Sequence, residues 1–288
     1  MSRFILSAFA DEAAADLAGQ IQAMRANNLT AVDVRAADGV NIADFTPAKA
    51  RQVRDALAAE GFTVACLASP IGKINIDDPL APHLDKMKRL CETADILSCP
   101  RVRFFSFYLP AGRPAADYRT EVLERLDLLL RIAADGGIRM LHENEKGIYG
   151  DVSERCLDLH QSFGSRMGGI VDPANYLQVG SDPLQAMQIL DQWTEYLHIK
   201  DVRLSDGKLM PAGQGDGHVA EIIRIYAARP GRVHIAVEPH LFAFSGLAKL
   251  EREPVSQKAA DNDKPSEAEQ ALAAFAAAIA ACRRLLPD

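Results

Sequence analysis

Trp193-Thr-Glu-Tyr-Leu-His-Ile-Lys-Asp201 is the stretch whose reading decides the fold. An apolar lead that turns polar at His198, Lys200 and Asp201 has the pattern of a buried parallel strand with chemistry at its C-terminal tip. Three further runs end in the same way: Met140-Leu-His-Glu143-Asn144-Glu145, Gly169-Ile-Val-Asp172-Pro173 and His234-Ile-Ala-Val-Glu238-Pro239. One Glu, one Asp, one His and one Glu, each at a strand tip, could meet around one divalent metal.

Outward from these tips the chain alternates strand and helix. Arg3–Phe9 reads as a first strand, followed by Asp11 and an Ala-rich helix through Met24; Ala31–Arg35 reads as a second. Thr46-Pro47 supplies an N-cap and a first-turn proline for a helix that runs through Glu60 and stops at Gly61. Thr63–Ala68 is strand three, and a long helix is predicted over residues 79–97. Arg101–Ser106 is strand four, with a helix over 114–135 closed by Gly136-Gly137. Strands five to eight hold Glu143, Asp172, His198 and Glu238. Between them lie a helix capped by Ser153, one opened by Asp182-Pro183 and one carrying Ile222, Ile223 and Tyr226. Ser266-Glu-Ala-Glu269 is a capping box, and it opens a C-terminal helix over 266–286.

Eight strand–helix alternations imply parallel strands joined by right-handed crossovers. At 288 residues this favours a single (β/α)8 TIM barrel spanning residues 1–288 with an additional C-terminal helix. No GxGxxG follows the first strand, which disfavours a dinucleotide-binding sheet. Residues 251–265 are charged and poor in apolar side chains, and read as a mobile loop on the mouth side of the barrel. A net charge of −7 disfavours a nucleic-acid surface. Five cysteines without CxxC spacing, no apolar run of membrane-span length and no signal-peptide pattern lead us to expect a cytoplasmic protein off the membrane.

In a barrel the strand C-termini face one mouth. Period-two alternation turns Leu141 inward with Glu143, Tyr196 with His198 and Ala236 with Glu238. Three carboxylates and one imidazole form an oxygen-rich donor set that suits Mn2+ first, with Mg2+, Co2+ or Zn2+ as alternatives.

This order of ligands, with His198-Ile-Lys-Asp201 and Glu238-Pro-His240, resembles the xylose isomerase-like TIM-barrel superfamily. Within it the chain is similar to the sugar isomerase/epimerase branch of ketose 3-epimerases and inosose dehydratases. The resemblance implies that Glu143 and Glu238 are metal ligands that also form the acid/base pair, while Asp172 and His198 are ligands alone. Two departures stand out. Asn175 occupies the position where ketose 3-epimerases usually carry a His, and Arg203 stands near, but not in clear register with, their Arg after the strand-seven His.

Around these residues, Arg35, Ser69, Glu145, Asn175, Lys200, Arg203 and His240 are candidate substrate contacts, and Lys73 could line the mouth. The competing bland readings are an Asp33–Arg35 pair, a turn at Ser69-Pro70 and a Lys200–Asp201 pair. His142 reads as a packing residue. Gly213-Gln-Gly-Asp-Gly217 reads as a tight turn that could alternatively offer amides to an anion.

The leading function is a divalent-metal-dependent isomerase or epimerase acting on a small sugar or keto-sugar through an enediolate. A lyase that eliminates water or an aglycone is the runner-up. An apurinic-site endonuclease would need histidines where strands three and four offer Ser69 and Ser106. A sugar-binding protein without catalysis is disfavoured by two intact glutamates. Homo-oligomerisation is left open by the sequence.

Overall fold

A computed structural model describes residues 3–241 and 266–287 of the chain. Eight parallel strands form a nearly closed TIM barrel: β1 Phe4–Ala8, β2 Ala31–Val34, β3 Thr63–Ile71, β4 Arg101–Phe104, β5 Arg139–Glu143, β6 Met167–Val171, β7 Thr194–Ile199 and β8 Val233–Val237. The ladder runs β1-β8-β7-β6-β5-β4-β3-β2. Its two ends meet at β1 and β2, where Ser7 Oγ donates to Asp33 Oδ1 at 2.6 Å.

The helices are α1 Leu17–Ala26, α2 Pro47–Ala59, α3 Ala81–Ile96, α4 Arg119–Asp135, α5 Ser153–Phe163, α6 Pro173–Gln178, α7 Pro183–Leu190, α8 Val219–Ala227 and α9 Glu267–Leu285. They cover the strands because each strand is apolar on both faces. The outward side chains, Val102 and Val233 among them, pack with Leu126, Leu129, Ile222 and Ile279 of the helices. The inward ones form a separate cluster of Phe9, Ala31, Cys66, Ala68, Leu141, Ile170, Tyr196 and Ala236. Small alanines facing two large rings, Phe9 and Tyr196, fill the barrel without a pore.

Local signals act as read. Thr46 accepts from Lys49 N–H, Asp182 from Leu184 and Gln185 N–H, and the Ser266/Glu269 capping box is formed in both directions. Some details differ. Ser69-Pro70 lies within β3, which continues to Ile71, so it is not a turn. Ser153 is the first helical residue and Val152 the cap; the Ser153 hydroxyl bonds Glu154 instead of the helix end. A 3-10 turn, Ala115–Tyr118, precedes α4. The expected loop over 251–265 lies outside the described residues.

Two short ribbons stand on the C-terminal face: Ala36–Ala37 with Val40–Asn41, and Asp201–Arg203 with Lys208–Met210. The second is anchored by Asp201, which is buried directly after β7. Its carboxylate accepts N–H bonds from Gly213, Gly215 and Gly217 at 2.8, 2.9 and 3.0 Å. The glycine-rich turn therefore does bind an anion, and the anion is the chain's own Asp201.

Candidate active site

Glu143 ends β5, Asp172 and Glu238 directly follow β6 and β8, and His198 is the penultimate residue of β7. Parallel register sets His198 level with Ala236, and Glu238 N–H donates to Ile199 O at 3.1 Å, which ties the tips of β7 and β8 together. Glu143, His198 and Glu238 each present a ligand atom within 4.8 Å of the others, and all three are buried. His198 Nδ1 is 2.6 Å from Glu143 Oε1 and 3.7 Å from Glu238 Oε2.

Asp172 stands slightly apart. Its Oδ1 caps α6 by accepting Asn175 N–H, and its Oδ2 faces Lys200 Nζ at 3.0 Å without a formed hydrogen bond. Burial pushes this carboxyl up to about 6; the Lys200 charge opposes the rise, and the negative charges of Glu143 and Glu238 add to it.

Cations brace the two glutamates. Arg103 Nη1 donates to Glu143 Oε2 at 3.0 Å, while its other nitrogens bond the Ala68 and Ser69 carbonyls of β3. Arg35 reaches three carboxylates: Asp11 at 2.8 Å, Glu12 at 3.3 Å and Glu238 at 3.2 Å. Burial alone would raise the Glu143 carboxyl, but the charges of His198 and Arg103 win and hold it near 2. Glu238 is held well below the usual carboxylate range against the same burial effect by Lys200, His240, Arg103 and Arg35. Burial would lower His198, yet Glu143, Asp33 and Glu238 carry it up to about 9.

The remaining candidates separate. Arg35, Lys200 and His240 join the site: His240 Nδ1 is 3.0 Å from Glu12 Oε1, and its Nε2 is 3.8 Å from Glu238 Oε1. His240 has a positive φ of 44°, a costly conformation for a non-glycine residue that its N–H bond to Glu12 helps hold. Glu145 lies at the rim, paired with Lys73 at 2.7 Å, and Lys73 sits over the Phe105 ring. Lys200 does not pair with Asp201, nor Arg35 with Asp33. Ser69 is fully buried and its hydroxyl donates to the Arg103 carbonyl, so it braces the wall and does not face the mouth. Asn175 donates to Asn144 O at 2.8 Å. Arg203 pairs with Asp206 on the exposed ribbon and is not gathered with the others. His142 is buried and bonds Ser106 Oγ.

Sequence reasoning missed Asp11, Glu12 and Arg103. Each had a signal. Asp11-Glu12 follows the first strand tip, and Arg103 shares a strand face with Arg101, two cations in one short strand.

The family described as xylose isomerase-like TIM barrel matches residues 21–239. The chain belongs to that family. Among curated proteins no sequence match is found. Similar solved structures include D-psicose 3-epimerase with D-tagatose from Clostridium cellulolyticum H10, at 12% identity and TM-score 0.71 over 98% of this chain and 99% of that one. The probable 3-DHS dehydratase AsbF of Bacillus anthracis is 14% identical, with TM-score 0.67 over 88% of this chain and 100% of that one. A xylose isomerase-like TIM barrel protein from Mycobacterium smegmatis in complex with magnesium is 15% identical, with TM-score 0.64 over 96% and 97%. At these identities the likeness is one of fold. Members of this xylose isomerase-like family are mostly enzymes, epimerases and a dehydratase among them.

Proposed function

We propose that this family member is a divalent-metal-dependent isomerase or epimerase of a small sugar-like hydroxy-ketone. The observation that carries the reading is the convergence of two buried, ionised glutamates from β5 and β8 on one imidazole. The donor set fits a hard dication: Glu143, His198 and Glu238, whose ligand atoms lie close together, would hold it, and Asp172, whose Oδ2 faces Lys200, would complete the set. Mn2+ or Mg2+ suits this set best. Such an ion, when bound, lowers the energy of negative charge developing on a substrate carbonyl oxygen.

The chain's own residues do the rest. One glutamate takes the proton from the carbon beside the carbonyl, and the other returns a proton on the opposite face. Arg103 and Arg35 each hold one oxygen of a glutamate, which fixes the carboxylate planes and keeps both groups charged at neutral pH. Lys200, His240, Glu145 and Lys73 surround the mouth and suit hydrogen bonds to sugar hydroxyls.

Elimination is the second reading, and Asn175 favours it over a ketose 3-epimerase assignment. No imidazole stands at that position, and the amide nitrogen is already spent on Asn144. A panel of sugars, keto-sugars and inososes incubated in D2O with Mn2+ separates the outcomes by mass spectrometry. Deuterium incorporation without mass loss supports isomerisation, and loss of water or aglycone supports the lyase. No exchange on any substrate speaks against proton abstraction altogether.

A further inference from the structure

Below the mouth, inside the barrel, Asp33 is 1% exposed. Its Oδ1 is saturated: Ser7 Oγ donates at 2.6 Å and Tyr196 Oη at 2.7 Å. Its Oδ2 has no hydrogen bond and faces His198 Nε2 at 3.8 Å, and that nitrogen has none either. A buried carboxylate oxygen and a buried ring nitrogen left apart would each cost about 1–3 kcal/mol. Side by side in a fully enclosed space, each is the partner the other lacks. The imidazole is held edge-on by Phe9 and Tyr196, with ring centroids at 5.1 and 5.6 Å, so it cannot turn its two nitrogens around freely. Nδ1 already points up to Glu143.

We propose that Asp33 is a positioning residue that takes the Nε2–H of His198, so that Nδ1 is the nitrogen offered to the mouth as an electron-pair donor. The proposal rests on the metal reading above for what Nδ1 is offered to, but the location of the ring proton stands apart from it. A carboxylate behind a ligating histidine fixes the tautomer and makes the ring a better donor. The alternative role for Asp33 is structural: closing the β1–β2 seam through Ser7 and tethering Tyr196. The two roles use different oxygens, so substitutions can tell them apart.

The test uses the full chain labelled with 15N-histidine, with His198→Gln to assign its ring signals. With Zn2+ or Mg2+ added, wild type should show Nε2 protonated and Nδ1 bare. In calorimetry with Mn2+, Asp33→Ala should lose about 10–100-fold in affinity. Ser7→Ala and Tyr196→Phe, which touch only Oδ1, should stay near wild type. Asp33→Asn should recover part of the loss, because its amide oxygen can still accept from Nε2–H. It also serves if Asp33→Ala does not fold. A bare Nε2 in wild type overturns the proposal. So does wild-type affinity with unchanged ring shifts in Asp33→Ala, or an equal loss in Ser7→Ala and Tyr196→Phe. If wild type binds no metal, the metal reading fails by itself. The Nε2–H signal of the metal-free protein then decides for Asp33 if Asp33→Ala abolishes it and Tyr196→Phe keeps it, and against Asp33 otherwise.

Discussion

Glu143 and Glu238 differ from ordinary buried acids in having both burial and countercharge, and countercharge prevails. Each is therefore ready to accept a proton at neutral pH. Glu→Gln at either position keeps an oxygen donor and removes the base. Each substitution should cut turnover by about 10²–10⁴, the usual worth of a general base. One of the two should still let solvent deuterium enter the substrate, since the base on the abstracting face survives. Near wild-type turnover in both variants would move the role to Glu145, Lys200 or His240.

At the scale of elements, two glycines show how loops on the mouth side are built. Gly72 directly follows β3 with φ of 89°, and a Cβ there would lie 1.9 Å from the Phe105 carbonyl oxygen. Gly72→Ala must therefore push apart the continuation of β3 and β4 that carries Lys73 over Phe105. A loss of more than about 2 kcal/mol in denaturant unfolding is expected. Asp201 works after β7, four strands further round. Asp201→Ala would orphan three glycine amides, at a cost of about 3 kcal/mol, and release the ribbon that carries Arg203. Amide exchange at Gly213, Gly215 and Gly217 should quicken; unchanged protection there would show that the turn holds without its anion. Gly215 itself has no room to change, because a Cβ would stand 2.4 Å from Asp201 Oδ1.

Over the whole molecule, pH stability follows buried histidines outside the cluster of Glu143, His198 and Glu238. Burial first, and neighbouring cations second, push His83, His160 and His234 each down to about 4. His83 shows why neutrality matters: its Nε2 accepts Gly72 N–H at 2.7 Å, which a protonated ring cannot do. The unfolded chain, with histidines near pKa 6.5, binds more protons than the folded one between roughly pH 6.5 and 4. Their contribution is thus complete above about pH 6.5 and is lost as pH falls toward 4. Asp172, raised to about 6, acts with the opposite sign, as do Asp11 and Asp151, while His142, pushed down to about 3, acts with the three histidines. Urea midpoints at pH 7, 5.5 and 4.5 on metal-free protein should fall in that order. His83→Gln, which keeps an acceptor for Gly72, should flatten the fall, and an unchanged slope would remove His83 from the account.

The barrel was legible in the chain itself because burial on both strand faces leaves near-continuous apolar runs, and polarity returns only where a strand reaches the mouth. Leu141, Tyr196 and Ala236 fall inside as period two requires. Caps at Thr46, Asp182 and Ser266 are local, so local sequence determined them. Which charge meets which is not local. Arg35 ignores Asp33, two residues away, for Asp11, Glu12 and Glu238; Lys200 passes over its neighbour Asp201 for Asp172. Arg103, placed by β4, reaches Glu143 on β5, and Asp33 takes bonds from Ser7 of β1 and Tyr196 of β7. Closing eight strands into a ring sets distances between residues as much as 228 positions apart, and no periodicity along the chain encodes them. The sequence by itself determined the strands, the helices and the four tips; only the closed barrel decided their partners, because ion pairing depends on separation in space.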